Sequence, residues 1–186
     1  KAVSPNEVLV HRIIWAVPFG ALIIHMRRQW PEVSAALRNR RTFLYLVVSA
    51  ILITGNWLVY IWAVQLEQIN QASLGYYINP LVTVALGFLF LGERLRPMQI
   101  VSVGIALLGV IYLTIAQGSL PWISVALAGS FAMYGFFRKQ LKVGSIEGLT
   151  IEMSFVIPFC IAIHFWLASN NESVIVDGNI WFKIHS

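Results

Sequence analysis

Charge is scarce in this sequence. Only 11% of its 186 residues are Asp, Glu, Lys or Arg, against roughly 25% in an ordinary soluble domain. A solvated globular surface cannot be built from so few charges. Cysteine is nearly absent too: Cys160 stands alone inside an apolar run, which excludes a disulfide framework and any cysteine-based metal spacing. The four histidines, His11, His25, His164 and His185, show no HExxH or related ligand pattern. Glycine-rich phosphate loops, CxxC pairs and Gly-x-Ser-x-Gly elbows are missing. Neither a metal nor another cofactor is expected, and catalytic chemistry has little to stand on.

What is present is hydrocarbon, at 58% of the residues. Apolar stretches of about 18 to 24 residues recur along the chain, each long enough to cross a hydrocarbon core roughly 30 Å thick. Hydropathy places six spans: Val8–Met26, Thr42–Gln65, Gln71–Gly92, Met98–Gln117, Leu120–Phe137 and Gly148–Ala168. The fold class is all-α, a polytopic transmembrane helix bundle. The start at Val8 has neither the basic flank nor the cleavage site of a signal peptide. The chain reads as a fragment, opened inside an extramembrane loop at Lys1 and cut short after Trp181.

The net charge of +5 would suggest nucleic acid in a soluble chain, but its distribution excludes that reading. Arg27, Arg28, Arg38, Arg40 and Arg41 follow the first span, Arg94 and Arg96 the third, and Arg138, Lys139 and Lys142 the fifth. These are ten of the thirteen basic residues. The alternate loops hold only Lys183, Lys1 precedes the first span, and Arg12 lies within it. Cytoplasmic loops carry such an excess, so residues 27–41, 93–97 and 138–146 are expected on the cytoplasmic side and the tail with Glu172 and Asp177 outside. Anionic lipid is the partner expected for the arginines at 38–41.

An internal repeat is visible at an offset of 140 residues. Glu7 meets Glu147, Trp15 meets Phe155, Pro18 meets Pro158 and Phe19 meets Phe159. Proline within a helix is costly even in a membrane, so the matched prolines carry the comparison. Five spans separate the copies. Five is odd, so the second copy enters from the opposite face, as in the inverted repeats of many secondary transporters. The alternative is a coincidence of two proline-kinked helices. Arg12 meets Glu152, and each heads a stripe of aromatics at i+3 and i+7 on one helical face. Charges within a span usually face a bundle interior or a wet cavity; for Arg12 the competing reading is snorkelling to the outer headgroups.

Other polar groups lie at depth. Asn56 is near the middle of the second span, with Tyr60 one turn on, and the third span carries GYYINP, Gly75–Pro80. Pro18, Pro80 and Pro158 are read as helix breaks that free the carbonyls of Ile14, Tyr76 and Ser154. A freed carbonyl beside Tyr76 and Asn79 makes a polar rung for a substrate, or else these groups bond a neighbouring helix. Ser102, Ala106 and Gly109, and Ser124, Ala128, Ala132 and Gly135, form small-residue packing faces on the fourth and fifth spans. Trp30, Trp62, Trp122 and Trp166 read as interface anchors; Trp15 and Trp57 lie deeper, where they line a path.

The stretch INPLVTVALGFLFLGERLRPMQIVSVGIALLGVIYL resembles an EamA domain, with Pro80 followed by Leu91, Gly92, Glu93 and Leu95 in the pattern LGE-x-L. VHRIIW, NWLVYIWAV, ASLGYYINPL and LPWISVALAGSFAMYGFFRK are similar to RarD-type permeases of the drug/metabolite transporter superfamily. That resemblance implies ten helices in two inverted five-helix repeats around a central cavity. Residues 1–137 would supply most of the first repeat and the first helix of the second, and residues 138–186 the next helix and an extracytoplasmic tail. It also implies a multi-pass protein of the bacterial inner membrane.

Together these readings lead to a secondary permease for small metabolites, amino acids or drugs. His11 and Arg12 are expected at an outer vestibule and Trp15 and Trp57 along the path. Asn56, Tyr60, Tyr76 and Asn79 are expected at substrate, and Glu152 at the inner side, as a proton-coupling carboxylate if burial raises its pKa. A second copy of the chain stays open as a partner. The alternatives are an intramembrane enzyme acting on lipid, with His11 or Glu152 as acid or base, and a non-transporting scaffold.

Overall fold

The computed structural model describes residues 5–118 and 121–169, and every regular element among them is a helix. The tail with Glu172, Asp177, Lys183 and His185, and the side chains of Glu7, His164 and Trp166, lie outside the described residues. Among the described residues seven helices follow in order: α1 (Pro5–Met26), α2 (Trp30–Arg38), α3 (Arg40–Gln65), α4 (Ile69–Leu91), α5 (Pro97–Gln117), α6 (Trp122–Lys139) and α7 (Ser145–Ser169). Among the described residues, α1, α3, α4, α5 and α7 are long and apolar enough to cross a membrane. The span expected over 120–137 is α6, 18 residues that end in Arg138 and Lys139. Two cations in the last turn, with Ser124 and Ser130 along its length, take it below the hydropathy of the other five.

Helix α2 was not expected. It occupies the arginine-rich loop because its local signals agree: a proline in the first turn, Glu32 at the N-terminal end and Arg38 at the C-terminal end, each matched to the helix dipole. Val33 and Ala36 are buried while Arg38, Arg40 and Arg41 stay exposed, as suits an amphipathic helix. Asn39 then caps α3, its Oδ1 accepting from the backbone N–H groups of Arg41 and Thr42, both at 3.1 Å.

The prolines read as breaks do not end their helices: Pro18, Pro80 and Pro158 lie inside continuous α1, α4 and α7. Each removes one donor, and the bonded turns on either side hold the helix together.

The chain forms two compact units, residues 1–50 with 143–186, and residues 51–142. Within the first, α1 and α7 pack along one another. Val10, Ile13, Gly20 and Ile24 turn inward from α1, and a Cβ at position 20 would collide with the Thr150 hydroxyl. Glycine allows this approach. At the start of α7, the Glu147 carboxyl group folds back over Gly144, the direction an N3 glutamate takes in a capping box.

In the second unit α4 and α6 pack side by side and run the same way. The Ser124 hydroxyl donates to the Gln71 carbonyl at 2.6 Å, Phe90 meets Phe136 further on, and Glu93 pairs with Lys139 beyond the helix end. Helix α3 crosses α6 the opposite way, with Asn56 beside Leu127 and Ser130 and Trp62 against Trp122. Residues 93–97 and the end of α6 therefore share one end of this unit, and the connection near 67 and the start of α6 the other. Of the expected small-residue faces, that on α6 is packed: Ser124, Ala128 and Ala132 are buried, though Gly135 is exposed. That on α5 is not: Ala106 and Gly109 are exposed, and among the described residues a Cβ at Gly109 would meet nothing within 4 Å.

Candidate functional site: a buried carboxyl on the seventh helix

Thr150, Ile151, Glu152 and Met153 are four consecutive buried residues. Successive side chains of a helix point about 100° apart, so four in a row are covered only when neighbours enclose the helix nearly all round. Helix α1 closes one side through Gly20 against Thr150. Helix α3 closes another, with Phe43 edge-on to Phe155 at 5.3 Å between ring centres.

Inside this sleeve lies a carboxyl. Glu152 is 0% exposed, and Ser49 of α3, equally buried, reaches it with its hydroxyl 2.6 Å from Oε1. The same hydroxyl lies 3.0 Å from the Leu46 carbonyl, one turn back on α3. Burying an ionisable carboxyl in an apolar medium is costly unless hydrogen bonds hold it, and Ser49 is one of its partners. Glu147 is also buried, but its place over the α7 N-terminus accounts for it.

The other expected site residues divide between the units. In the first, His11 is half-buried and Arg12 exposed, and Arg12 shares the outward face of α1 with Trp15, 71% exposed, and Phe19. The two charges matched at the 140-residue offset thus sit in opposite settings, Glu152 enclosed and Arg12 outward. In the second unit, Asn56 is buried and its amide nitrogen donates to the Leu127 carbonyl at 2.9 Å and the Ser130 hydroxyl at 2.8 Å. The Ser130 hydroxyl itself donates to the Ala126 carbonyl, so the Asn56 amide protons serve helix packing. Tyr60 and Tyr76 meet edge to face at 6.3 Å, with Trp57 and Asn79 half-buried and Tyr76 exposed. Asn79 and Thr83 are 3.5 Å apart.

Sequence reasoning missed Ser49. The one signal was a hydroxyl inside an apolar run, and its partner lies 103 residues away. The signature around Glu93 also gains a physical reading. Gly92 takes the left-handed conformation that ends α4, at φ 65°. The Glu93 carboxylate then folds over the bare Cα of Gly87 and reaches Lys139. An open slot of about 280 Å³, between Val84, Leu95, Met98, Gln99, Ser102 and Val103, holds none of the expected path residues. Among the described residues no three His, Cys, Asp or Glu side chains gather as a metal site requires.

This helical layout and the glycine-glutamate cap of α4 accompany a match of residues 1–115 to the EamA-like transporter family. The chain belongs to that family. It is similar to an "Uncharacterized transporter" of Vibrio cholerae, 43% identical over 172 residues, 92% of this chain and 57% of that protein. "Protein RarD" of Escherichia coli K12 is 42% identical over 171 residues, again 92% of this chain and 58% of the relative. "Chloramphenicol-sensitive protein RarD" of Pseudomonas aeruginosa is 30% identical over 182 residues, 96% and 61%. This EamA-family chain is thus of RarD type and spans about three fifths of the length of these relatives. No solved structure matches it significantly.

Proposed function

We propose that this chain is part of a secondary permease of the bacterial inner membrane that moves small metabolites, amino acids or drugs, and that Glu152 is its proton-coupling carboxyl. The observation that carries the reading is the full enclosure of Glu152 at 0% exposure within a helix long and apolar enough to cross a membrane. A carboxyl costly to keep there as an anion suits reversible protonation as one inverted repeat rocks against the other. The curated relatives, named transporters, favour transport over catalysis.

His11 and Arg12 form the outer vestibule in this reading, Arg12 drawing anionic groups. Trp15, Trp57, Tyr60, Tyr76 and Asn79 line the path, and Asn56 holds α3 against α6 behind it. Loops 27–41, 93–97 and 138–146 face the cytoplasm; pairing of Glu93 with Lys139 supports a common side for the last two.

The test begins with knockout cells, whose intracellular and extracellular metabolites identify the transported compound. Glu152→Gln in the complete protein keeps membrane insertion and lowers the flux of that compound by about tenfold or more, equivalent to about 1.4 kcal/mol. Normal flux in Glu152→Gln removes the coupling role.

A further inference from the structure

A serine hydroxyl has one proton and two lone pairs. Ser49 has two acceptors in reach of that proton, the Glu152 carboxyl oxygen at 2.6 Å and the Leu46 carbonyl at 3.0 Å. It can serve only one at a time. We propose that Ser49 is a positioning residue for Glu152 that hydrogen-bonds the carboxyl in both of its protonation states by moving its own proton between Glu152 and the Leu46 carbonyl. The inference rests on the coupling role of Glu152 proposed above.

The exchange needs one incoming proton at Glu152 and a rotation of the Ser49 hydroxyl. When Glu152 is charged, the Ser49 O–H donates to Oε1 and the Leu46 carbonyl keeps its helical bond alone. When a proton arrives from water, it binds the carboxylate, and the new carboxyl O–H donates to Ser49 Oγ. The Ser49 hydroxyl then turns to the Leu46 carbonyl, a bond that serine commonly makes to a preceding turn. No heavy atom has to move. Loss of the proton reverses both rotations. Neither form of the acid leaves the Ser49 oxygen or the facing carboxyl oxygen without a bond, and a buried polar group left without one is costly. Glutamine at 152 cannot run this cycle, because its amide does not titrate.

The arrangement is specific. Both residues are fully buried, and they come from helices far apart in sequence. Thr150 and Ser154, the other hydroxyls nearby on α7, donate to the Ile146 and Thr150 carbonyls of their own helix. Ionisable groups on the surrounding helices include His11 and Arg12 on α1, Glu32 on α2, Arg41 and Tyr45 on α3 and Glu147 on α7. They are unchanged in a Ser49 variant, so a difference from wild type reads Ser49 itself.

The experiment is an infrared pH titration of the complete protein in liposomes. Bands that change with pH and vanish in Glu152→Gln belong to Glu152. In Ser49→Ala the neutral carboxyl band moves to higher frequency, having lost its acceptor, and the carboxylate band shifts because its donor is gone. Ser49→Thr, which keeps the hydroxyl, leaves both at their wild-type positions. Where Ser49→Ala does not fold, Ser49→Cys replaces it, and its weaker donor gives smaller shifts of both bands. Bands that ignore Ser49, shifts in one protonation state only, or threonine behaving like alanine overturn the inference and leave the coupling role standing. Normal flux in Glu152→Gln, with both bands still dependent on Ser49, overturns the coupling role alone.

Discussion

Arg12 and Glu152 match at an offset of 140 residues in the sequence, yet one side chain faces outward and the other is enclosed. The difference comes from stem length and surroundings. Arginine can carry its charge along an apolar face to water, whereas a glutamate at depth needs donors fixed around it. Position 152 was legible as unusual because a carboxylate among apolar residues stands out. Ser49 was not, because a single serine in such a run is unremarkable until its partner is placed. Backbone detail at the helix ends was equally hidden. Arg28 and Glu67 both take positive φ, near 57°, and each is followed by a glutamine that bonds five residues back, Gln29 to Ile24 and Gln68 to Ala63. This is the cap geometry that usually selects glycine. Glu67→Gly is therefore expected to stabilise the protein by up to about 1 kcal/mol, set by the left-handed penalty of roughly 1–2 kcal/mol less the entropy of a glycine. Thermal unfolding in detergent checks it: a lower midpoint than wild type contradicts the strain argument.

At the scale of elements, hydropathy located every long helix to within a few residues, but the packing partner of each was settled by small side chains. Gly75 lets α4 meet α6 at Ser124 and Leu127, where an added Cβ would stand 3.2 Å from the Ser124 carbonyl oxygen. Gly104 on α5 faces open space. The two glycines should respond oppositely to alanine. Alanine gains about 1 kcal/mol of helix propensity at either place, but overpacking at position 75 costs about 1–3 kcal/mol. Gly104→Ala is expected to leave thermal stability equal or higher, and Gly75→Ala to lower it. Equal gains at both would mean that α4 and α6 do not approach as described. Hydropathy also passed over α2, whose signals are caps and charges rather than a long apolar run. The three prolines stand inside continuous helices, each removing one donor while the turns on either side stay intact.

For the whole molecule, the charge count makes a statement about sides. With Cys160 replaced by serine, single cysteines at Arg94 and Gln140 should react with a membrane-impermeant maleimide only after cells are opened. A cysteine at Glu67 should react in intact cells. Both residues 67 and 140 are exposed, so access is decided by the membrane rather than by burial. Arg94 and Gln140 labelling from opposite sides would contradict the shared end that Glu93 and Lys139 define. Glu67 labelling only in opened cells would invert the proposed topology.

Composition alone determined that this chain is a set of membrane-crossing helices, because hydrocarbon length and the scarcity of charge are local quantities summed along the sequence. The order of loop charges set an expected orientation for the same reason. Which helices touch was decided by tertiary structure: α4 lies against α6 rather than only against α5, and α7 is sleeved by α1 and α3. Those choices depend on where two backbones can approach, as at Gly20 with Thr150 and Gly75 with Ser124. They also depend on which buried polar atom finds a partner, as Glu152 finds Ser49 across 103 residues. A hydrogen bond at that separation leaves no periodic trace in the chain, because it depends on distance in space rather than position in sequence.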